Sequence, residues 1–534
     1  MTDFIEIYDS TLRDGAQAEG ISYSLEDKLL IARRLDELGV HYIEGGWPNP
    51  TNPKDLAFFR EVKKMGLRAK VTAFGSTRRS TNRPDEDETL ATLLEAGTDS
   101  IALFGKSWDL HVEQVLRTTR AENIALIEDS VAFLAGQGRE VVYDAEHFFD
   151  GYKADPDYAV ETLLAAQRGG ARILVLCDTN GGVMPDQLRQ TVEAVKEHVD
   201  LPFGIHTHND AGMGVAHSIV AVGLGAVQVQ GTFNGYGERC GNANLCSIIP
   251  TLELKMGKRT IGRENLPELM VFSRFLSEIA NVQHDHRQAY VGESAFAHKG
   301  GAHVDGVMKV PHSFEHIEPE LVGNQRRFLV SDQSGGGTMV SKLERICPGI
   351  EKRDPRVGQV LSQIKQREHE GYQYEAAEGS FELLARRELG LYEDRFRLLD
   401  WRTINHRSDG SGEEAEAIVK VEVDGELYHT VANGDGPVNA LDRALRKALE
   451  QVFPSIRLVH LADYKVRVLS SGDGTASRVR VLIESSDGQR VWSTVGASEN
   501  SIQASAIALT DSLHFKLMQD QIEASQIQTE KAVG

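Results

Sequence analysis

Two histidines, two positions apart, are candidates for binding a divalent metal ion. His206 and His208 lie in PFGIHTH, a short apolar segment that is predicted to be a strand. Side chains two residues apart on a strand point the same way, so both imidazoles can reach one ion. Asp14, in DSTLRDGAQ, follows an earlier predicted strand and adds a carboxylate. Two imidazoles and one carboxylate leave coordination positions open for a chelating substrate.

Other polar residues lie where further predicted strands end. They are Arg13 beside Asp14, Asp144 and Glu146 on one face of the fifth strand, Thr179 after the sixth, and Glu238 and Asn242 after the eighth. A hard divalent ion that chelates a 2-oxo acid polarises the ketone, and Arg13 can stabilise charge that develops on oxygen. Glu146 is a candidate acid or base, and Asn242 can complete the metal sphere directly or through water. The set predicts carbon–carbon bond formation or its reverse.

The elements that carry these residues alternate eight times between short β-branched segments and longer amphipathic ones. The predicted strands are IEIYD, YIEGG, RAKVTAF, SIALFG, EVVYDAEHF, ARILVLCDT, PFGIHTH and VQVQGTFN. Eight βα units in about 250 residues predict an α/β protein with a closed (β/α)8 TIM barrel, in which the carboxyl ends of the strands surround one active-site mouth. An open doubly wound sheet is the alternative, but no GxGxxG follows the first strand.

The whole chain is predicted to form three domains. A catalytic TIM barrel covers residues 1–273, helical linker subdomains cover 274–382, and a regulatory α+β domain covers 383–534. The linker contains the glycine cluster HKGGAHVDG, whose two histidines make a purely passive role less plausible. The polar tail after Gln519 is expected to fray.

The third domain contains an internal repeat. VKVEVDGELYHTVANGDGPVNALDRAL and VRVLIESSDGQRVWSTVGASENSIQASAIAL each predict a strand, an Asp-Gly turn, a strand, a loop and a helix. Thr430 and Val431 of the first copy match Thr494 and Val495 of the second. Because this duplicated module carries no cluster of nucleophile, base and metal ligand, we assign it to binding or assembly.

Composition limits the partners and the compartment. The 58 basic and 79 acidic side chains give a net charge of -21, which repels nucleic acid and anionic membranes, so we expect neither as a partner. The start MTDFIEIYDS lacks signal-peptide features and no run of about 18 apolar residues occurs, so a cytoplasmic location is expected. The four cysteines form no CxxC pair and are expected to be reduced thiols.

Three motifs resemble those of one enzyme family. STLRDGAQ, HTHND and NGYGERCGNANL are similar to motifs of the 2-isopropylmalate, homocitrate and citramalate synthases, and the resemblance spans nearly the whole chain. It implies a metal-dependent Claisen condensation of acetyl-CoA with a 2-oxo acid on an eight-stranded barrel, with Mg²⁺, Mn²⁺ or Zn²⁺ as the ion. The repeat resembles the family's regulatory domain, which implies a homodimer with an end-product amino acid bound at its interface.

The resemblance also implies a role for each matching residue. The implied metal ligands are Asp14, His206, His208 and Asn242; the implied catalytic residues are Arg13, Glu146 and His303; and the implied substrate contacts are Arg13, Thr179, Phe104, Tyr143 and Asp305. Arg13 would stabilise the enolate, and Glu146 would assist proton transfer. His303, supported by Asp305, would reach the partner subunit's active site. Phe314 occupies a position where relatives often carry a tyrosine, so no role is assigned to it.

Two further segments bear on the choice of 2-oxo acid. FGSTRR, from Phe74, and LFGKSWDLHV, which contains Phe104, resemble the branch that joins pyruvate to acetyl-CoA to give (R)-citramalate for isoleucine synthesis, which implies isoleucine as the effector. Both phenylalanines can shorten the oxo-acid pocket, although ordinary barrel packing is the alternative. Other functions stay open: a 2-isopropylmalate synthase that uses 2-oxoisovalerate, an acyl-CoA lyase on the same barrel, and a catalytically silent amino-acid sensor.

Overall fold

A computed structural model describes residues 3–49, 53–329, 336–408, 412–469 and 477–533. The chain folds into two compact units, one of residues 1–296 and 316–326 and the other of residues 297–315 and 327–534. The division into three domains at residues 273 and 382 stays a prediction. Within the described ranges, no helix combines the length and the apolar character that a membrane span requires.

The first unit contains a closed barrel of eight parallel strands, as the sequence predicts. The strands are β1 (Glu6–Asp9), β2 (Tyr42–Gly46), β3 (Lys70–Ser76), β4 (Ser100–Lys106), β5 (Glu140–Glu146), β6 (Ile173–Asp178), β7 (Phe203–Thr207) and β8 (Gln228–Gly231). Each strand pairs with the next, and β8 pairs with β1 to close the barrel. His206 on β7 is in register with Cys177 on β6 and with Gln230 on β8. The carboxyl ends of all eight strands therefore surround one mouth of the barrel.

Helices surround the barrel and bury its outer surface. They are α1 (Leu25–Leu38), α2 (Pro53–Val62), α3 (Glu88–Glu95), α4 (Arg120–Gly136), α5 (Phe148–Ala154), α6 (Pro156–Gly169), α7 (Pro185–Val195), α8 (Gly214–Gly223), α9 (Leu245–Lys255) and α10 (Leu269–Ile279). Local signals fix their ends: Ser24 and Asp27 form a capping box at the start of α1, and Gly39 ends it with a φ of 92°. Apolar side chains from strands and helices form one large core between the two layers.

The second unit begins with short elements that match the predicted helical linker. They are β9 (Ala297–His298), α11 (Gly301–Lys309), β10 (Arg327–Phe328), α12 (Gly336–Leu343), α13 (Pro355–His369) and α14 (Glu378–Glu388). β9 and β10 pair in parallel, and α12, α13 and α14 share a small apolar core with Val495.

The predicted repeat is two similar α+β modules. One comprises β11 (Arg397–Ser408), β12 (Gly412–Val423), β13 (Glu426–Gly434) and α15 (Pro437–Leu449), and the other β14 (His460–Val468), β15 (Val479–Ser486), β16 (Val491–Ser498) and α16 (Ser501–Val533). Thr430 Oγ1 donates to the Ala444 carbonyl at 2.7 Å, and Thr494 Oγ1 donates to the Ala508 carbonyl at 2.8 Å. The matched threonines thus attach the last strand of each sheet to its helix. The tail that was expected to fray belongs to α16.

Candidate metal centre

Three side chains from β7 and the loop after β1 meet at the mouth of the barrel. Nε2 of His206 lies 3.3 Å from Nε2 of His208 and 3.3 Å from Oδ2 of Asp14, and Nε2 of His208 lies 3.8 Å from the same oxygen. The three side chains are 3–6% exposed. Two imidazole nitrogens and a carboxylate oxygen at these separations are a donor set that fits a divalent ion.

Asn242 gives a second sign that the centre fits an ion. Its backbone bridges to His208, and the residue is 1% exposed. Neither its amide oxygen nor its amide nitrogen has a hydrogen-bond partner among the described residues. Because buried polar atoms are normally satisfied, an amide left this way beside two imidazoles fits a further ligand, direct or through water.

The protonation states of Asp14 and His208 also suit metal binding. Burial and the neighbouring His206 lower the pKa of His208 to about 4. Burial would raise the pKa of Asp14, but Arg13 and the two imidazoles outweigh it and hold that pKa well below the usual range. Burial would lower the pKa of His206, but its hydrogen bond with Asp14 outweighs that effect and raises it. Asp14 is thus an anion and His208 a neutral donor at neutral pH.

Gln230 orients His206 from β8. Its Oε1 lies 2.8 Å from Nδ1 of His206, and its Nε2 donates to Asp144 Oδ1 at 3.1 Å. Asp144 is buried, and burial together with Glu44 raises its pKa to about 7. A hydrogen bond to Nδ1 fixes the ring and leaves Nε2, the atom that would bind an ion, directed towards Asp14 and His208. Gln230 was not predicted from the sequence.

Glu44 orients Arg13 by a hydrogen bond, as Gln230 orients His206. Glu44, in the middle of β2 and fully buried, accepts from Arg13 Nε, from Tyr8 Oη at 2.5 Å and from Ser10 Oγ at 2.6 Å. Arg13 also lies 3.2 Å from Asp14. Burial opposes the charge of Arg13, but Glu44 and Asp14 more than compensate and raise its pKa further. The arginine is therefore a fixed cation beside the predicted ligands. Glu44 was also missed by the sequence analysis.

A cavity of about 210 Å³ opens above these residues. Its lining residues include Arg13, Asp14, Gln17, Trp47, Phe74, Phe104, Asp144, Glu146, Cys177, Thr179, His206, His208, Glu238 and Arg239. The predicted residues from β1, β3, β4, β5, β6 and β7 are thus brought together at one mouth.

Three aromatic rings form one wall of the cavity. Phe74 and Phe104 stack with centroids 5.2 Å apart, and Trp47 meets both edge-on at 5.6 and 5.4 Å. Arg13 lies over the Phe74 ring, 3.7 Å from its centroid. Trp47 was not predicted. Its amide donates to Asp55 Oδ2 at 3.0 Å, which fixes the start of the loop after β2.

Glu146 and Thr179 both face the cavity, as predicted. Glu146 pairs with Lys106 from β4, and Thr179 accepts from the amide of His147 at 2.8 Å. Tyr143 is not brought there. It lies in the apolar core between barrel and helices, with its hydroxyl close to Gly105. As a neighbour of Asp144 on the pleated strand it points to the opposite face, so its predicted place among the substrate contacts is wrong.

His303 and Asp305 belong to the second unit, on α11. His303 is exposed and stacks on Phe314 with ring centroids 4.5 Å apart. Asp305 pairs with Lys309 at 2.5 Å. Their action in a partner subunit's active site stays a prediction, because a single chain does not test it.

Known proteins resemble the chain in all three segments. Residues 4–272 match the HMGL-like family, residues 290–371 match the homocitrate synthase post-HMGL domain-like family, and residues 375–517 match the LeuA allosteric (dimerisation) domain. The chain is 53% identical to an (R)-citramalate synthase of Geobacter sulfurreducens, over 98% of this chain and 99% of that protein. It is 51% identical to one of Aquifex aeolicus, with the same coverage. A probable 2-isopropylmalate synthase of Methanopyrus kandleri is 31% identical, over 95% of this chain and 97% of that one.

Proposed function

Because the chain belongs to the HMGL-like family and, within it, to the (R)-citramalate synthases, we propose that it condenses acetyl-CoA with pyruvate to give (R)-citramalate and CoA. The observation that carries the proposal is the grouping of Asp14, His206 and His208 beside Arg13. Three aromatic rings line the same cavity. The rings of Trp47, Phe74 and Phe104 would shorten the oxo-acid pocket, which supports pyruvate over a branched 2-oxo acid.

Asp14, His206 and His208 would hold the metal ion, with Asn242 as a direct or water-mediated ligand. When bound, a hard divalent ion chelates the 2-oxo acid and polarises its ketone. We assign Mg²⁺ or Mn²⁺, since one carboxylate and an amide add hard oxygen donors to the two imidazoles.

The chain's own residues then carry the condensation. The methyl group of acetyl-CoA loses a proton, and Glu146, one of the carboxylates that line the cavity, assists this transfer. The resulting carbanion attacks the ketone carbon of pyruvate and forms the new carbon–carbon bond, while Arg13 stabilises negative charge on oxygen. The ketone oxygen takes up a proton, and water then hydrolyses the thioester, which releases CoA and the second carboxylate. Thr179 contacts the oxo acid.

Regulation and assembly belong to the same proposal. The match to a LeuA allosteric (dimerisation) domain supports a homodimer in which the repeated modules bind an amino acid. We take isoleucine as this effector, because an enzyme that makes citramalate for isoleucine synthesis benefits from feedback by the end product. In the dimer, His303 and Asp305 would reach the partner subunit's active site.

An assay of CoA release tests the proposal. Purified protein is mixed with acetyl-CoA, Mn²⁺ or Mg²⁺, and pyruvate, 2-oxoisovalerate or 2-oxoglutarate, and free thiol is followed. We expect kcat/KM for pyruvate to exceed that for 2-oxoisovalerate by at least about 10-fold, the usual effect of a misfit of one or two methyl groups. Preference for 2-oxoisovalerate would identify a 2-isopropylmalate synthase. Absence of CoA release with every oxo acid would exclude the synthase reaction.

A further inference from the structure

His147 joins β5 to α5 with a left-handed backbone. Its φ is 55° and its ψ is 33°, values that non-glycine residues seldom adopt and that the surrounding fold must hold in place. Histidine is one of the few side-chain types enriched in this conformation. Because the turn comes directly after Glu146, it sets the direction in which the chain leaves the strand beside that carboxylate.

The main chain around His147 ties Glu146 to both neighbouring strands. The His147 amide donates to Thr179 Oγ1 at 2.8 Å, and the Ser107 amide donates to the Glu146 carbonyl at 3.1 Å. A side chain at Gly151 would collide with the Ser107 carbonyl, so α5 packs directly on the loop after β4. These hydrogen bonds therefore fix the positions of Glu146 and Thr179 relative to each other.

The imidazole of His147 also makes contacts around the end of β5. Its Nδ1 lies 3.3 Å from Asp150 Oδ2, which also accepts from Asn180 Nδ2 at 2.9 Å. Its ring centroid lies 4.2 Å from that of His111 and 5.7 Å from that of Trp108. The imidazole thus contacts the loop after β4 directly and the loop after β6 through Asp150. The side chain is buried and does not line the catalytic cavity.

We infer that His147 is a positioning residue for the condensation. Its left-handed main chain and its packed ring together hold Glu146 and Thr179 towards the substrate, which His147 itself does not touch. The inference rests on the proposed function, because it takes Glu146 as the group that assists proton transfer. Displacing such a group by about 1 Å costs on the order of 10²-fold in rate.

Three substitutions separate the contribution of the main chain from that of the ring. His147→Ala removes the ring and disfavours the left-handed conformation, His147→Gly permits the conformation without a side chain, and His147→Asn permits it and keeps a polar group for Asp150. We expect kcat to fall on the order of 10²-fold in the alanine variant, less in the glycine variant and least in the asparagine variant. KM for acetyl-CoA should stay near wild type, whereas KM for pyruvate should rise in the alanine variant, because Thr179 contacts the oxo acid.

Asn281→Ala is the matched control. Asn281 is exposed, has a φ of 53° and follows α10, so alanine there carries the same backbone penalty away from the cavity. We expect a Tm lower by about 2–4 °C and an unchanged kcat. An equal loss of kcat in the control and in His147→Ala would overturn the inference.

Crystal structures of the wild-type and alanine variants complete the test. We expect the Glu146 carboxylate and the Thr179 hydroxyl to move in His147→Ala. A wild-type kcat in that variant, or a reduced kcat with both groups unmoved, would refute the positioning role. If the wild-type protein releases no CoA with any 2-oxo acid, the proposed function fails, whereas the crystal structures still decide whether His147 holds the two side chains.

Discussion

At the scale of single residues, the metal centre depends on side chains that bind and side chains that orient. His208 has no hydrogen-bond partner at Nδ1 among the described residues, whereas His206 is fixed through Gln230. The low pKa of His208, about 4 through burial and the neighbouring His206, keeps it neutral and available as a donor. Removing it deletes a ligand without leaving a buried charge behind.

His208→Ala should therefore abolish turnover and leave the fold near normal. Loss of an outer partner of a ligand costs about 10–100-fold in metal affinity, so loss of the ligand itself should cost more. Titration calorimetry with Mn²⁺ measures the affinity, and thermal unfolding checks the fold. His198→Ala, at an exposed histidine beyond α7, is the control and should match wild type. Turnover that survives in His208→Ala would show that the assigned centre is wrong.

The sequence reveals the predicted ligands but not the residues that support them. The spacing of His206 and His208, and the position of Asp14 after a strand, are local signals. Glu44 and Gln230 lie inside buried strands. The sequence shows that each is a polar residue in an apolar strand, but it does not show which side chain each one contacts. The alternation in VQVQG does place its two glutamines on one face, and that signal could have found Gln230.

At the scale of elements, strand patterns predict the barrel and the repeated module, including their order. β11 and β14 were not predicted. Each precedes the recognisable Asp-Gly hairpin of its module, and β14 is largely exposed along its length. The alternation of apolar and polar residues from Tyr464 to Val468 is a signal that could have found β14. The extent of α16 was also missed, because the end of its sequence is polar, whereas apolar residues up to Met518 pack in the core.

The packing of α16 predicts a pH-dependent stability in the second unit. His514 stacks on Phe396 with centroids 4.0 Å apart, and burial lowers its pKa to about 4. Its unfolded pKa is about 6.5, so the unfolded state takes up the proton first as pH falls. The free energy of unfolding is therefore highest above about pH 6.5, and protonation of His514 lowers it by about 3 kcal/mol in total between about pH 6.5 and 4.

Chemical unfolding followed by tryptophan fluorescence, to which Trp492 in the same core contributes, measures this effect between those pH values. His514→Gln should flatten the part of the slope that His514 causes. His460→Gln, at an exposed histidine, should leave the slope unchanged. An identical pH dependence in the His514 variant and the wild type would contradict the assignment.

At the scale of the whole molecule, the proposed catalytic and regulatory functions belong to separate parts of one chain. The barrel carries the candidate metal centre, and the repeated modules carry no comparable cluster among the residues that the structure describes. Feedback therefore requires that an amino acid bound at the modules changes the free energy of substrate binding at the barrel. Such a coupling is reciprocal, so each ligand changes the affinity of the other by the same factor.

For the full-length protein we therefore expect isoleucine to inhibit CoA release and to raise the Kd for acetyl-CoA. Allosteric coupling typically changes an affinity by about 5–150-fold. Calorimetry of isoleucine with and without saturating acetyl-CoA should show that acetyl-CoA raises the Kd for isoleucine by the same factor. Leucine is the matched control because it differs only in the branching of its side chain. Binding of leucine alone would reassign the effector and favour the 2-isopropylmalate branch, while binding of neither amino acid would refute feedback through the repeat. A substrate-independent isoleucine Kd, with inhibition intact, would place the effect on the chemical step, because reciprocity governs binding and not kcat.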